Sequence, residues 1–406
     1  MDKVFLVIGD GIGDRPIASL GRKTPLEAAR TPNLDKLAQL GISGAMHTID
    51  VGVRPGSDTA HLALLGYDPN VYYTGRGPFE AAGLNMPIEQ GDVCFRANMA
   101  TVDGKITVID RRAGRIEDTS EFAERFNGIM IDKVKFLLKK GTGHRIGLMM
   151  RGKNLSANIT DVDPHKTGVK VNQAKPKDKT KEAKLTAQVL NKFLKLTRQK
   201  LQKLNSNKKR MKQGLLAANY ILVRGAGKAP SLPDFKDKYG LKAACIAGAG
   251  LYKGIGRLIG MKVIEVKGAT GRPDSDLKAK IRKAIELKEK YDFFFIHFKA
   301  ADSLGEDGNA AGKIKFIEKI DEAIKPLIKL KNSLIVVTAD HSTPCGLKNH
   351  SGDDVPIVIK SPQVRDDEVE HFNERECAKG RLGHIKGSQL MPIIIDLMGL
   401  AEMFGA

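Results

Sequence analysis

Val4-Phe5-Leu6-Val7-Ile8-Gly9-Asp10 is an uninterrupted apolar run that stops on glycine and a carboxylate. With no polar alternation, it reads as a strand buried on both faces, the signature of a parallel sheet covered by helices. Leu334 to Thr338 repeats the pattern far along the chain and ends on Ala339-Asp340-His341. Ligands of open α/β sheets collect beyond the carboxyl ends of the strands, so the two runs nominate Asp10, Asp340 and His341 for one site. Carboxylate with imidazole is a donor set for divalent metals.

Outward from these runs, strand and helix signals alternate. Thr31-Pro32-Asn33 introduces a helix with Leu34, Leu37 and Leu40 on one face. Later come Ala243 to Ile246, Val263 to Val266, a helix from about Asp274 to Lys290, Phe293 to Phe298, and a helix from about Lys313 to Lys329. The alternation predicts an α/β fold, a mainly parallel sheet flanked by helices on both faces. Because the candidate ligands come from both ends, the middle is expected to be an inserted α+β cap domain at about Asn85 to Asp234 (residues 85–234). Residues 1–84 and 235–406 would form the discontinuous core. The near boundary is read from Gly75-Arg76-Gly77-Pro78 and Met86-Pro87, the far one from Lys228-Ala229-Pro230-Ser231-Leu232-Pro233.

The 406 residues carry a formal net charge of +20, and much of the excess lies between Lys166 and Lys212. Within that stretch Leu185, Val189, Phe193 and Leu196 recur at helical spacing, so an amphipathic helix of about Glu182 to Leu204 packs one face and solvates the other. Base stacking needs interleaved aromatics, and Phe193 stands alone, so nucleic acid is not the expected partner. No apolar run approaches the roughly 20 residues that span a bilayer, and Val4 to Ile8 is too short for a secretory signal. A cytoplasmic protein with no membrane partner is expected. Cys94, Cys245, Cys345 and Cys377 form no C-x-x-C pair and are read as free thiols. Abundant lysine without tryptophan hints at a thermophilic source; oligomeric state stays open.

Gly9-Asp10-Gly11-Ile12-Gly13-Asp14 invites a dinucleotide-binding reading, but the third glycine of that fingerprint would fall on Asp14, and Asp10 would set a carboxylate beside a pyrophosphate. Asp10 is better read as a metal ligand. A second ligand cluster is Asp302, after the Phe293 to Phe298 strand, with Glu306 four residues on and His350 in Asn349-His350-Ser351-Gly352-Asp353. Together these residues offer enough oxygen and nitrogen for two metals. Ser57, in Pro55-Gly56-Ser57-Asp58-Thr59-Ala60-His61, precedes an apolar helical stripe. It is either an N-cap or a nucleophile whose proton a metal helps to remove. Asp110-Arg111-Arg112-Ala113-Gly114-Arg115, Gly143-His144-Arg145 and Val223-Arg224-Gly225-Ala226-Gly227 set guanidinium forks beside glycine turns, suited to phosphate or carboxylate.

The run from Gly9-Asp10-Gly11-Ile12-Gly13-Asp14-Arg15-Pro16 through Gly56-Ser57-Asp58-Thr59-Ala60-His61 and Asp110 to Arg115 to Asp340-His341-Ser342-Thr343-Pro344-Cys345 resembles archaeal-type cofactor-independent phosphoglycerate mutase, of the alkaline phosphatase superfamily. The resemblance spans essentially the whole chain. It implies an alkaline-phosphatase-like core and a phosphoserine enzyme interconverting 3-phosphoglycerate and 2-phosphoglycerate. It also implies two divalent metals (Mn, Mg, Co or Zn) and no 2,3-bisphosphoglycerate. By this resemblance Ser57 is the nucleophile, Asp10, Asp340 and His341 with Ser57 hold one metal, and Asp302 and His350 hold the other. Arg112, Arg115, Arg224, His144 and Lys253 would contact substrate, with Arg145 and Asp163 as further candidates. One position departs: the family's Asp-x-x-Gly-His pattern reads Asp302-Ser303-Leu304-Gly305-Glu306 here, and oxygen for nitrogen shifts preference toward manganese or magnesium. A metal-dependent phosphatase or other phosphotransferase of that superfamily is the alternative, and a basic RNA-binding protein a distant one.

Overall fold

The structure, a computed structural model, describes residues 3–405. Its strands run in chain order as β1 (Lys3–Gly9), β2 (Ile42–His47), β3 (Val93–Val102), β4 (Val108–Asp110), β5 (Ile129–Ile131), β6 (Val134–Lys140), β7 (Arg145–Arg151), β8 (Tyr220–Lys228), β9 (Ala243–Ile246), β10 (Lys262–Val263), β11 (Phe293–Phe298), β12 (Ser333–Thr338), β13 (Val355–Lys360) and β14 (Gly383–Lys386). They divide between two compact units, one of Met1–Tyr73 with Leu232–Ala406 and one of Thr74–Ser231.

The discontinuous unit is built on one eight-stranded sheet in the order β10-β9-β11-β1-β12-β13-β2-β14. β1 pairs in parallel with β11 and β12, β9 with β10 and β11, and β14 with β2. Only β13 runs against its neighbours β12 and β2. Every residue of β11 and of β12 is buried, so both faces are covered by helices, as the apolar runs require. Pro32–Gln39, Leu277–Glu286 and Ala310–Ile328 pack together in one helical group, and Ser57–Leu64, Gly250–Leu258 and Gly387–Leu397 in another. Sequence placed a strand over Val263 to Val266, but the edge strand there is only Lys262–Val263, and Glu265 beyond it ion-pairs with Lys253.

The middle unit is antiparallel, with β3 at its centre between β7 and β8 and the order β4-β3-β7-β6-β5 continuing outward. Helix Lys181–Leu201 covers it, burying Ala183, Val189, Leu190, Phe193 and Leu194, while Leu185 and Leu196 are half-buried at the margin of the stripe. Phe193 stacks on Phe136 with ring centroids 4.0 Å apart. The unit begins before the expected residue 85, because helix Arg76–Gly83 belongs to it, and it ends at Ser231, before 234. Gly77 has no Cβ to strike the Cys94 carbonyl, so the helix lies directly on β3. All four cysteines are free and buried, and no described helix is long and apolar enough to cross a membrane. Phe193→Ala should cost about 3–5 kcal/mol by leaving a cavity against Phe136. The check is the urea midpoint of the transition, which should fall; an unchanged midpoint would contradict this packing.

Candidate active site

Asp10 leaves β1, and its backbone N–H donates to the Phe298 carbonyl at the end of β11, while the Asp302 N–H donates to the Asp10 carbonyl. These two bonds bring the loops after neighbouring parallel strands together. Asp340 and His341 follow β12 on the other side of β1, and the Gly11 N–H donates to Asp340 Oδ1 at 3.2 Å. Gly11 has φ +67, and a Cβ there would stand 2.6 Å from Thr343 Oγ1 and 2.7 Å from the Asp302 Cα, so only glycine lets the loops close.

Two sets of possible metal donors result, Asp10-Asp340-His341 and Asp302-His341-His350, with His341 common to both. His341 Nε2 lies 3.2 Å from Asp340 Oδ2 and 3.6 Å from Asp10 Oδ1, and His350 Nε2 lies 3.4 Å from Asp302 Oδ1. Ser57 joins them: its Oγ is 3.2 Å from His341 Nε2. It opens helix Ser57–Leu64, but Gly56 is the N-cap and no side chain caps the turn, which removes the purely structural reading of this serine. Glu306 belongs to neither set. It is an exposed residue at the end of helix Ala300–Glu306, whose carboxyl is raised by partial desolvation and by the charge of Asp302.

Four side chains at the site escaped the sequence reading. His297 Nε2 is 3.0 Å from Asp10 Oδ2, and His61 Nδ1 is 3.5 Å from Asp340 Oδ2. Lys299 Nζ is 3.2 Å from Asp10 Oδ1 and also bonds Asp302 Oδ2, and the Tyr252 hydroxyl donates to Asp10 Oδ2. Burial alone would raise Asp10, but Lys299, His297 and His341 hold it well below the usual carboxylate range. Asp302 is likewise depressed against its burial, by His350 and Lys299. His350 is pushed up to about 9: burial opposes this, and Asp302 and the Pro55 carbonyl outweigh it. Burial takes His297 down to about 4, leaving it neutral with a lone pair to offer near pH 7.

Of the other candidates, Lys253 is ion-paired with Glu265 at 2.5 Å. The rest lie in the middle unit. Asp163 is buried and taken up by Arg111, with Nη2 to Oδ2 at 2.6 Å, and by Arg224, with Nε at 3.8 Å, so it orients arginines and has little left for a ligand. Arg224 on β8 is the register partner of Arg96 on β3, and Asn98 that of Arg145 on β7. Burial lowers Arg96 to about 9, with Glu80 opposing and Arg76, Arg224 and Arg145 adding repulsion. His144 falls to about 4 through burial and the neighbouring Arg145, Arg112 and Arg96. Arg112, Arg115 and Arg145 are exposed. The sequence reading missed Arg96 and took no account of Arg76, although a charge inside Val93-Cys94-Phe95-Arg96-Ala97 is conspicuous in a buried strand.

A parallel α/β sheet with carboxylates and imidazoles at its strand ends defines a protein of the metalloenzyme class, and residues 2–397 match the Metalloenzyme superfamily. The 2,3-bisphosphoglycerate-independent phosphoglycerate mutase 1 of Archaeoglobus fulgidus is 49% identical over 410 residues, covering 99% of this chain and 100% of that protein. The corresponding mutase of Methanococcus vannielii is 50% identical over 407 residues, covering all of both. Among solved structures, a Pyrococcus horikoshii protein superposes with TM-score 0.88 at 37% identity, covering 100% of this chain and 99% of that one. The cofactor-independent phosphoglycerate mutase from Thermoplasma acidophilum gives 0.72 at 40% identity, covering 99% and 100%. The chain belongs to the 2,3-bisphosphoglycerate-independent phosphoglycerate mutase family.

Gly11→Ala is expected to destabilise the fold by more than about 1 kcal/mol and to weaken divalent-metal uptake, since it combines a positive φ with two close contacts. Melting temperature and manganese titration check this; wild-type values for both would show that the loops close without glycine.

Proposed function

We propose that this protein is an isomerase that interconverts 3-phosphoglycerate and 2-phosphoglycerate without 2,3-bisphosphoglycerate, with Ser57 carrying the phosphoryl group. One observation supports this most: Ser57 Oγ sits 3.2 Å from His341 Nε2, beside buried Asp10 and Asp340, in a chain similar end to end to proteins named as such mutases.

The donor set suits divalent metal. His61 Nε2 and His297 Nδ1 are buried with no hydrogen-bond partner among the described residues, and such orphans are costly unless something else satisfies them. Asp10, Ser57, Asp340 and His341 would hold one ion and Asp302 and His350 a second, with the Glu306 carboxylate within electrostatic reach of Asp302. When bound, such ions supply Lewis-acid stabilisation of phosphoryl oxygens and lower the pKa of a coordinated hydroxyl.

The chain's own residues do the remainder. Ser57 stands at the start of a helix, where first-turn N–H groups favour an arriving anionic phosphoryl group. Its Oγ bonds to phosphorus as the bond to the glycerate O3 breaks, and the proton that Ser57 gives up is balanced by the one O3 takes. In the return half, O2 gives up its proton and bonds to phosphorus as the phosphorus–Oγ bond breaks, and Oγ recovers a proton. Lys299, held well above its ordinary value by Asp10, Tyr252 and Asp302 in spite of burial, stays cationic throughout and offsets the negative charge. Within the middle unit, Arg96, Arg112, Arg115, Arg145 and Arg224, with neutral His144, would offer an anion grip suited to carboxylate or phosphate. Arg111 and Asp163 fix the orientation of Arg224.

Manganese-loaded protein should convert 3-phosphoglycerate to 2-phosphoglycerate in the absence of bisphosphoglycerate, with no free phosphate. Phosphate alone would mark a phosphatase. Ser57→Ala should lower turnover by roughly 10³–10⁶-fold while leaving the melting temperature near wild type; normal turnover would remove the serine carrier. Glu306→His should raise activation by cobalt and zinc relative to manganese. An unchanged metal ranking would show that a side chain at position 306 does not reach the second ion.

A further inference from the structure

We infer that the open edge of the large sheet carries a separate binding site for a transition-metal dication, made by His47, Asp354 and His384. The three side chains can each bring a ligand atom within 4.8 Å of the others. Sheet register explains why they meet. His47 ends β2, His384 on β14 is the register partner of Ala45, and Val355 on β13 is the partner of Met46. Side chains two apart in a strand share a face, so His47 lies on the face of Ala45 and therefore of His384. Continuing the antiparallel register by one residue sets Asp354 opposite His47, on that same face. Ala45, small and buried, leaves room between the rings.

The local contacts leave these groups available to an ion. His384 Nδ1 is 3.6 Å from Asp354 Oδ2, and the two imidazole rings face each other at 6.3 Å with an interplanar angle of 25°. His47 Nδ1 is shielded from solvent and has no hydrogen-bond partner among the described residues. Neighbouring carboxylates are committed elsewhere: Asp50 is held by Lys386 at 2.8 Å and Asp353 by Arg15 at 2.7 Å. Asp354 is the carboxylate left for the two histidines.

Two imidazoles on adjacent strands and a carboxylate one residue before the third form a donor set for zinc and its divalent neighbours, with solvent completing the shell on the exposed side of His384. Its role follows from its place. β14 is a four-residue strand at the sheet edge, and helix Gly387–Leu397 follows it directly. An ion bridging residues 47, 354 and 384 staples that short edge strand to β2 and β13. Anything that binds only the folded chain adds stability by mass action. None of the three residues belongs to the proposed catalytic set, so the inference stands or falls independently of the mutase reading.

Zinc is the probe. Protein equilibrated with zinc and passed through a desalting column should hold one more equivalent by elemental analysis than His384→Ala or Asp354→Asn treated the same way. Zinc should raise the melting temperature of the wild type beyond the rise seen in either variant. Both variants are expected to keep mutase turnover and a wild-type melting temperature without added zinc. Equal zinc content in wild type and both variants, or an equal zinc-induced rise in melting temperature, overturns the site.

Discussion

Three carboxylates buried within a few ångströms of one another repel and have lost their water, and the rest of the core is arranged to make that tolerable. Asp10, Asp302 and Asp340 are at most 2% exposed. Lys299 bridges the first two, His341 stands against Asp10 and Asp340, and His350 faces Asp302. Breaking such a group one partner at a time leaves an uncompensated buried charge, which costs several kcal/mol. Neighbouring parallel strands are the means of assembly: β11, β1 and β12 lie side by side, and Asp302, Asp10 and Asp340 follow them at the same end of the sheet. Positive-φ Gly11 then threads between the loops.

The parts of this that were legible in sequence are those set by continuous apolar runs. Lys3–Gly9, Phe293–Phe298 and Ser333–Thr338 are strands because four or five consecutive apolar residues can be satisfied only between two helical layers. β2 and β13 were not legible. Ile-Ser-Gly-Ala-Met-His lacks a β-rich pattern, and Pro356 argues against a strand, although its partner across the ladder is Ala45 in the interior of the sheet. His297 was overlooked because one imidazole in Phe-Phe-Phe-Ile-His-Phe reads as part of a strand. Lys299 was one lysine among many. Their roles come from long-range pairing that local pattern does not encode. Glu306, nominated by its spacing from Asp302, is an exposed residue at the last position of its helix that still feels the charge of Asp302.

The basic middle divides into two kinds of charge. Lys181, Lys184, Lys192, Lys195 and Lys200 of helix Lys181–Leu201 are all exposed while Val189 and Phe193 are buried, so this charge is the solvated part of an amphipathic helix. Arg96, Arg111 and Arg224 are different: they are drawn in among Glu80 and Asp163, at a cost visible in the lowered values of Arg96 and Arg224. Retaining guanidinium groups against burial makes sense where an anion is to be bound. Net charge alone would not have separated these groups; register across β3, β7 and β8 does.

The central claim is that Ser57 shares a divalent ion with Asp10, Asp340 and His341. Anomalous diffraction from crystals soaked in manganese tests it directly. The account predicts a peak within bonding distance, about 2.0–2.3 Å, of Ser57 Oγ and of carboxylate and imidazole atoms from those three residues. A fully occupied peak elsewhere, with Ser57 Oγ uncoordinated and turned to solvent, would contradict it.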